Sequence, residues 1–432
     1  MPAIAKILIV FAGMLLAARL RFQLGLAMAL GGVALTFWSG AAAAQALANC
    51  GAALHSRDLW LLLVITVLIE LCRFVTEGRN AGELMAAVQR WGGRHGRTAT
   101  LMGLPAVIGL IPMAAGALLS APFVRQASAD TDRTPDWQAA VNYWFRHIWE
   151  YWWPLYPAVI ISISIFKMDT LQFIAAQCLY TVVAAAAGYV LLIRPHLAEL
   201  SQAAARLEGS NRRAFLVLLP LLVVAVAMSL LPGPLGLLFP SMHPQNRRLL
   251  AVMIGLGAGL IFIFADEYRQ GAAGAAGRMF STLFRRQSLS LLGTVFGGLL
   301  FKSLLDQSGL LPVAARELAH SGIPLAATVA VLPFLAGLVT GLGLGFAGTA
   351  FPLIAGLMAA PDSGLSPMST LVLAYGFGYA GMMLSPVHLC LLMTRDYFRT
   401  NMPGIYRRVL PCELIVMAYA VVAYAALGAL GW

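Results

Sequence analysis

Titratable side chains occur in an apolar stretch of the chain that also contains two prolines. The stretch NYWFRHIWEYWWPLYP, residues 142–157, holds Arg146, His147 and Glu150. Glu150 follows Arg146 by four residues and His147 by three, so all three can lie near one helical face. Ionisable residues inside an apolar span are functional candidates by default, and these predict a binding site. The alternative for Arg146 is an anchor at the cytoplasmic end of the span.

A second proline-containing stretch, YGFGYAGMMLSPVHLCL (375–391), contains His388. His388 matches Tyr156 of the first stretch, since 388 − 156 = 232, and both are expected one turn beyond a helix break. The alternative for His388 is a satisfied buried histidine. The candidate binding residues of the two stretches are Asn142, Arg146, His147, Glu150, Tyr156, Ser385 and His388.

The composition indicates that these stretches lie in a membrane. Of 432 residues, 60% are hydrophobic and 11% are charged, whereas a soluble domain is about half apolar and a quarter charged. The net charge of +11 resides in short loops beside apolar spans, which is the positive-inside pattern and not a nucleic-acid footprint. The lipid bilayer is therefore the expected partner, and nucleic acid is not.

Helical spans need about 20 apolar residues. They are predicted roughly at 4–18, 22–40, 59–76, 138–166, 171–193, 214–231, 248–265, 289–305, 367–394 and 410–431, with interfacial helices near 79–93 and 308–320. The fold class is an all-α polytopic membrane protein with about 10 transmembrane helices plus two re-entrant hairpins.

The two hairpins are predicted near 100–124 and 323–358, where Gly and Pro interrupt apolar sequence. Backbone that leaves the helical state inside a membrane must find partners in protein or in a water-filled cavity, so each tip is a candidate site. Close packing of small residues is the alternative for each glycine. The candidate residues are Pro112, Gly116 and Ser120 in the first hairpin and Thr340, Gly343, Gly345 and Thr349 in the second.

Two halves of the chain share landmarks at nearly one spacing. The pairs are Gly78 and Gly309 (309 − 78 = 231), Pro122 and Pro352 (352 − 122 = 230), and Pro154 and Pro386 (386 − 154 = 232). Arginine-rich loops predict that the halves have opposite orientations, with both termini on the outer side. The predicted units are N-terminal scaffold helices (1–54), repeat 1 (55–200), linker and scaffold helices (201–285) and repeat 2 (286–432).

Two further intramembrane charges, Glu70 and Lys302, fall at neighbouring positions of the repeat. We expect them to form a gating or charge pair, and the alternative is that Lys302 extends to the interface. The sequence predicts no cofactor and no metal site. Its seven histidines lack metal spacing, and His147 with Glu150 supplies too few ligands.

The stretches IPMAAGALLSAPFV, NYWFRHIWEYWWPLYP, GLVTGLGLGFAGTAFPLIAGL and GYAGMMLSPVHLCLLMTRDYF resemble the ion-transporter superfamily from about residue 55 onward. That group includes gluconate permeases, citrate and dicarboxylate symporters and the large subunits of TRAP transporters. Within it the chain is most similar to a family of prokaryotic integral membrane proteins of unknown function. The resemblance implies a scaffold and a mobile transport domain, an elevator motion and often a homodimer.

One departure concerns coupling. Sodium-coupled dicarboxylate members of the superfamily carry Ser-Asn-Thr triplets at both hairpin tips, and this chain does not. His147, Glu150 and His388 suggest proton coupling instead, because histidine titrates near physiological pH.

The predicted function is therefore secondary active transport of a small anionic, carboxylate-like solute, coupled to protons or sodium, in a prokaryotic inner membrane. A channel is the alternative. A membrane-embedded enzyme is a weaker one, because HExxH and GxSxG motifs are lacking.

Overall fold

In a computed structural model, the described residues form helices joined by turns, with no strand among them. The structure describes residues 1–55 except 21, 41 and 42, then 96–110, 116–200 except 130, 230–269 except 243, 283–320, 324–359 and 363–431. It also describes isolated positions between 60 and 67, between 219 and 227, and between 277 and 281.

The first half of the chain contributes eight labelled helices. They are α1 (Ala3–Arg19), α2 (Leu24–Trp38), α3 (Ala43–Leu54), α4 (Gly96–Gly109), α5 (Gly116–Ala127), α6 (Pro135–Arg146), α7 (Pro157–Ile165) and α8 (Thr170–Gly188). A π-helical turn, Tyr189–Ile193, and a short 3-10 turn, Arg194–His196, extend α8 to Leu197–Leu200.

The described residues of the second half form nine more labelled helices. They are α9 (Pro232–Leu238), α10 (Pro244–Arg269), α11 (Arg286–Gln307), α12 (Leu310–His320), α13 (Leu325–Thr340), α14 (Gly343–Met358), α15 (Pro367–Met383), α16 (Leu389–Phe398) and α17 (Met402–Ala429).

Three helices of the described part are long and apolar enough to cross a membrane. They are Thr170–Leu200, Ser288–Gln307 and Met402–Ala429. Shorter apolar helices include Leu24–Trp38, Leu325–Thr340 and Gly343–Met358. Together with the composition of the chain, these helices define an integral membrane protein.

The order of helices repeats along the chain. In each half a pair of helices precedes a short helix, a break, a second short helix and a long final helix. The starts of α6 and α15 (367 − 135), of α7 and α16 (389 − 157) and of α8 and α17 (402 − 170) are each 232 residues apart. The spacing expected from prolines and glycines therefore recurs at the level of the helices.

Local signals at the helix starts repeat at the same spacing. Both α6 and α15 carry proline at the first helical position, where a missing N–H costs nothing. The final helices begin at side-chain N-caps, Asp169 for α8 and Asn401 for α17. Two residues before each cap, Lys167 and Arg399 adopt left-handed backbone with φ of 51° and 52°. Turns with a left-handed residue at the same position thus precede both final helices.

Helix α12 fixes the start of α1. The carboxylate of Glu317 accepts hydrogen bonds from the backbone N–H of Ile4 at 2.8 Å and of Ala3 at 2.9 Å. These bonds, that of Ile4 first, hold the pKa of Glu317 below its ordinary value of 4.5. A carboxylate at a helix N-terminus also interacts favourably with the helix dipole. A helix is therefore present where one was expected, near 308–320, and it anchors the N-terminal helix.

Several predicted segments differ from the observed ones. Residues 138–166 form two helices, α6 and α7, and residues 367–394 are divided between α15 and α16. Helices α3 and α9 had no predicted span; α3 is rich in alanine, which favours helix at any degree of burial. The predicted segments 59–76 and 79–93 lie outside the described residues apart from isolated positions, and so does most of 214–231.

The second hairpin packs closely on the helix that leads to the second break. A Cβ placed on Gly337 of α13 would lie 2.2 Å from the carbonyl oxygen of Gly378, and one on Gly381 of α15 would lie 2.0 Å from that of Phe334. Small residues allow such backbone approach in membrane proteins. The hairpin α13–α14 is therefore held directly against α15.

Candidate functional site

The first helix break begins where α6 ends at Arg146. His147 is the C-cap of α6, and the chain then runs through turns to Tyr156, the N-cap of α7. Pro157 occupies the first position of α7. The ring of a proline disfavours the helical conformation of the residue before it, and Tyr156 is extended, so the helix restarts at this point.

The second break is shorter. Helix α15 ends at Met383, and His388 is the N-cap of α16. Between them, the N–H of Ser385 bonds to the carbonyl of Met382 at 3.1 Å, and that of His388 to the carbonyl of Ser385 at 3.2 Å. Tyr156 and His388 were expected one turn beyond their breaks; they instead cap the helices that follow, because the breaks extend to them.

Each break is joined to its hairpin by the same hydrogen bond. The Tyr156 hydroxyl donates to the carbonyl of Gly109, the last residue of α4. Nδ1 of His388 lies 2.7 Å from the carbonyl oxygen of Gly341, the C-cap of α13. The two bonded pairs occupy equivalent positions in the two halves, since 341 − 109 = 232 and 388 − 156 = 232. The matching of Tyr156 with His388 in the sequence therefore corresponds to a shared contact.

The two breaks also bond to each other through tyrosines. The hydroxyl of Tyr143 donates to the carbonyl of Met383 at 2.9 Å, and that of Tyr375 donates to the carbonyl of Glu150 at 2.8 Å. Tyr143 and Tyr375 are equivalent positions (375 − 143 = 232). Each half thus supplies a donor to a carbonyl that the other half's break frees, as the absence of water in a membrane requires.

A third tyrosine bond lies where the halves meet. The Tyr379 hydroxyl donates to the carbonyl of His147 at 2.7 Å, and these two residues are themselves equivalent (379 − 147 = 232). The two breaks therefore contact each other directly.

A buried group of charged and imidazole side chains occupies this meeting point. Arg146 and His147 are 1% exposed and His388 is 6% exposed. Nη1 of Arg146 lies 3.5 Å from Oε1 of Glu150 and 3.3 Å from Nε2 of His147. Nε2 of His147 lies 3.8 Å from the same Glu150 oxygen. The structure thus brings together the residues that the sequence predicts.

The two histidines face each other. Their Nε2 atoms are 3.2 Å apart. Nδ1 of His147 lies 2.6 Å from the carbonyl oxygen of Tyr143, and Nδ1 of His388 lies 2.7 Å from that of Gly341. A carbonyl only accepts, so both Nδ1 atoms carry a hydrogen, and in the neutral rings both Nε2 atoms present lone pairs to one point. The network thereby assigns both tautomers.

Asn142 and Ser120 form a second polar group, between α5 and α6. Nδ2 of Asn142 donates to the carbonyl of Ala117 at 3.0 Å and contacts Oγ1 of Thr394 at 3.5 Å. The Ser120 hydroxyl lies 3.4 Å from the carbonyl oxygen of the same Ala117. Ala117 directly follows Gly116, the first residue of α5. Oδ1 of Asn142 has no hydrogen-bond partner among the described residues.

The hydroxyls predicted for the second hairpin bond to backbone carbonyls. The Thr340 hydroxyl donates to Ala336 at 2.7 Å and the Thr349 hydroxyl to Gly345 at 2.5 Å. Ser385 donates to Leu338 of α13 at 2.6 Å, so it ties the second break to the hairpin. Gly343 begins α14 after the left-handed turn. These side chains position the turn, and a ligand would have to compete for them.

Two predicted residues lie outside the described residues. Pro112 lies within 111–115, and Glu70 lies within 68–95. The expected Glu70–Lys302 pair therefore stays a prediction. In the structure Nζ of Lys302 lies 3.0 Å from Oδ2 of Asp306, one helical turn away in α11.

One geometric expectation was wrong, and two residues were missed. Arg146, His147 and Glu150 do not share a helical face, because α6 ends at Arg146 and Glu150 lies in the break. Cys390 lies beside the two histidines, although in the sequence it resembles a small apolar residue. The spacing His-x-Cys could have indicated that it belongs to the group. Glu413 is fully buried in α17, and its signal was an acid within an apolar span.

Comparison with a solved structure gives the class of the fold. The crystal structure of the YdaH transporter of Alcanivorax borkumensis is similar with a TM-score of 0.55 at 17% identity, over 87% of this chain and 86% of that one. The chain therefore has the fold of a membrane transporter. By its sequence, it belongs to the family described as "Protein of unknown function (DUF401)", whose profile matches residues 5–242 and 249–427.

The comparison with curated proteins finds no match. The family and the fold support a membrane transporter, while the narrower ion-transporter superfamily named from the sequence stays a prediction.

Proposed function

We propose that this protein is a secondary active transporter for a small anionic, carboxylate-like solute, driven by protons or sodium. The observation that carries the proposal is the buried group of Arg146, His147, Glu150 and His388 between two helix breaks at equivalent positions of the chain. Discontinuous helices that meet in the middle of repeated halves are typical of secondary transporters.

Arg146 is the group that would recognise an anion. A guanidinium can bind a carboxylate through two parallel hydrogen bonds of about 2.7–2.9 Å. Its contact with Glu150 is 3.5 Å, which is longer than such a bond. An incoming carboxylate can therefore offer Arg146 a better partner than Glu150 does, and the Glu150 carboxylate would then turn away or take a proton.

Glu413 supports protons as the coupling ion. It is fully buried in α17, and neither side-chain oxygen has a hydrogen-bond partner among the described residues. Ionisable residues at such places in membrane proteins mark ion pathways and proton relays. Glu413 can bind and release a proton as the protein changes conformation, which a permanently paired acid cannot do.

The mechanism that we propose is an elevator. The hairpins and the broken helices would move together as a transport domain against the remaining helices, in two halves of inverted topology. We further propose a homodimer in a prokaryotic inner membrane with both termini on the periplasmic side. The repeated helix order and the equivalent hydrogen bonds support two halves built alike.

Uptake into proteoliposomes tests the proposal. Purified protein would be reconstituted, and labelled carboxylates, sugar acids and amino acids would be offered under an imposed pH gradient, an imposed sodium gradient or neither. We expect accumulation of a carboxylate that follows one gradient and disappears in Arg146→Gln. Glu413→Gln should abolish the accumulation of solute that a pH gradient drives. The exchange of solute across the membrane at equal pH should stay unchanged.

Two results would refute the proposal. Uptake that only equilibrates, together with a large passive ion conductance, would show a channel. Accumulation driven by neither gradient, with Arg146→Gln as active as the unchanged protein, would remove both the coupling and the assigned anion site.

A further inference from the structure

Three buried side chains with metal-binding atoms converge between the two breaks. They are His147, His388 and Cys390, and one ring nitrogen of each histidine and the cysteine sulfur all lie within 4.8 Å of one another. His147 comes from the first break, whereas His388 and Cys390 come from the N-cap and first turn of α16. Each half of the chain therefore contributes to one cluster.

The histidines are oriented as metal ligands usually are. In most metal sites, a ligating histidine donates its other ring N–H to a carbonyl or carboxylate, which fixes the ring and its tautomer. Here Nδ1 of His147 bonds to the Tyr143 carbonyl and Nδ1 of His388 to the Gly341 carbonyl, at 2.6 and 2.7 Å. When both rings are neutral, both Nε2 lone pairs consequently face a common point.

The spacing of these lone pairs suits a tetrahedral ion. Two nitrogens bound to zinc at about 2.0–2.1 Å with a tetrahedral angle lie about 3.3–3.4 Å apart. The two Nε2 atoms are 3.2 Å apart, so an ion needs only a small displacement of either ring. Two Nε2 lone pairs at this distance repel unless a proton or a metal cation lies between them.

The chemistry of the ligands selects the ion. Imidazole with thiolate favours zinc-class ions over magnesium or calcium, which prefer oxygen. We propose that His147, His388 and Cys390 bind one zinc-class divalent cation, with the fourth coordination position open or filled by Glu150. The Cys390 sulfur binds as the thiolate, and its proton is released to solvent.

Arg146 is the charged neighbour that opposes a cation, and Glu150 offsets it. Nη1 of Arg146 lies 3.3 Å from Nε2 of His147 and 3.5 Å from Oε1 of Glu150. A bound cation takes the His147 lone pair, and the guanidinium then moves toward the Glu150 carboxylate. Among the described residues, uncharged tyrosines also surround the group: the ring of Tyr143 packs edge-on against both imidazoles, and the Tyr379 hydroxyl bonds to the carbonyl of His147.

Binding of Co²⁺ to the purified full-length protein tests this site. Co²⁺ takes the ligands of Zn²⁺, and a thiolate ligand gives it a charge-transfer absorption band. We expect one ion per chain with that band. Cys390→Ala should lose the band and weaken Zn²⁺ binding at least ~100-fold, because even loss of an outer partner of a ligand costs 10–100-fold. Cys412→Ala, the same change at another buried cysteine, should keep both.

His388→Gln supplies a second variant, and each protein is first shown to elute as a single species from size exclusion. No binding to the unchanged protein would overturn the proposal, as would a sulfur band that persists in Cys390→Ala. The assay contains no transported solute, so it is independent of the proposed transport. Conversely, uptake that survives a chelator would leave the transporter proposal intact even if no metal binds.

Discussion

Replacing Gly341 by alanine tests how firmly the second hairpin holds the second break. Gly341 is the C-cap of α13 and has a φ of +64°. Its carbonyl accepts the hydrogen bond from Nδ1 of His388 at 2.7 Å. A Cβ at this position would lie 2.8 Å from the backbone nitrogen of His388 and 3.0 Å from Oγ of Ser385. The substitution therefore strains the turn and presses it against the break.

Two costs add in this variant. Left-handed backbone costs an alanine about 1–2 kcal/mol. Contact with a backbone atom cannot be relieved by rotating a side chain, and overpacking of this kind costs about 1–3 kcal/mol. The free energy of unfolding should thus fall by about 2–5 kcal/mol.

Gly364 provides a matched control. It has the same φ of +64°, yet a Cβ there would meet no atom within 4 Å. Gly364→Ala should therefore lose only the conformational term of about 1–2 kcal/mol. The difference between the two variants isolates the packing of the hairpin against His388.

Thermal unfolding in detergent, followed by the fluorescence of the nine tryptophans, measures both variants. A loss of 1 kcal/mol lowers the melting temperature by about 2–4 °C for 150–250 residues, and by less for a longer chain. For 432 residues the same scaling gives about 1 °C per kcal/mol, so we expect Gly341→Ala to melt about 1–3 °C below Gly364→Ala. Equal melting temperatures would refute the close contact between the hairpin turn and the break.

Three further outcomes follow from the structure. Glu317→Gln should lower thermal stability at neutral pH; because the folded pKa of this carboxyl is depressed, the difference from the unchanged protein should vanish as the pH falls through that pKa. Lys302→Met and Asp306→Asn should each change stability by less than about 1 kcal/mol, since their contact is an i,i+4 pair with an exposed acid, and a much larger effect of Lys302→Met alone would show another partner. Gly109→Ala should prevent accumulation of folded protein in the membrane, because its Cβ would lie 2.0 Å from the carbonyl oxygen of Arg146; normal expression and size exclusion would contradict that contact.

The sequence determined some of the places where helices stop, although other prolines, such as Pro122 and Pro352, lie inside helices. Proline removes a donor and restricts the residue before it, and glycine permits left-handed backbone; both effects act within a few residues. The breaks before Pro157 and after Met383, and the turn at Gly341, could therefore be predicted locally. Alanine-rich α3 could not, because its composition suits a helix inside or outside a membrane.

Only the tertiary structure decided which groups meet. The contact of His147 with His388 joins positions 241 residues apart, and Cys390 enters the group only because α16 begins beside α6. Periodicity and spacing describe one element at a time. They therefore predicted that Glu150 shares a helical face with Arg146, whereas the helix ends at Arg146. The packing of one half against the other supplies donors for the freed carbonyls, and that same packing assembles the site.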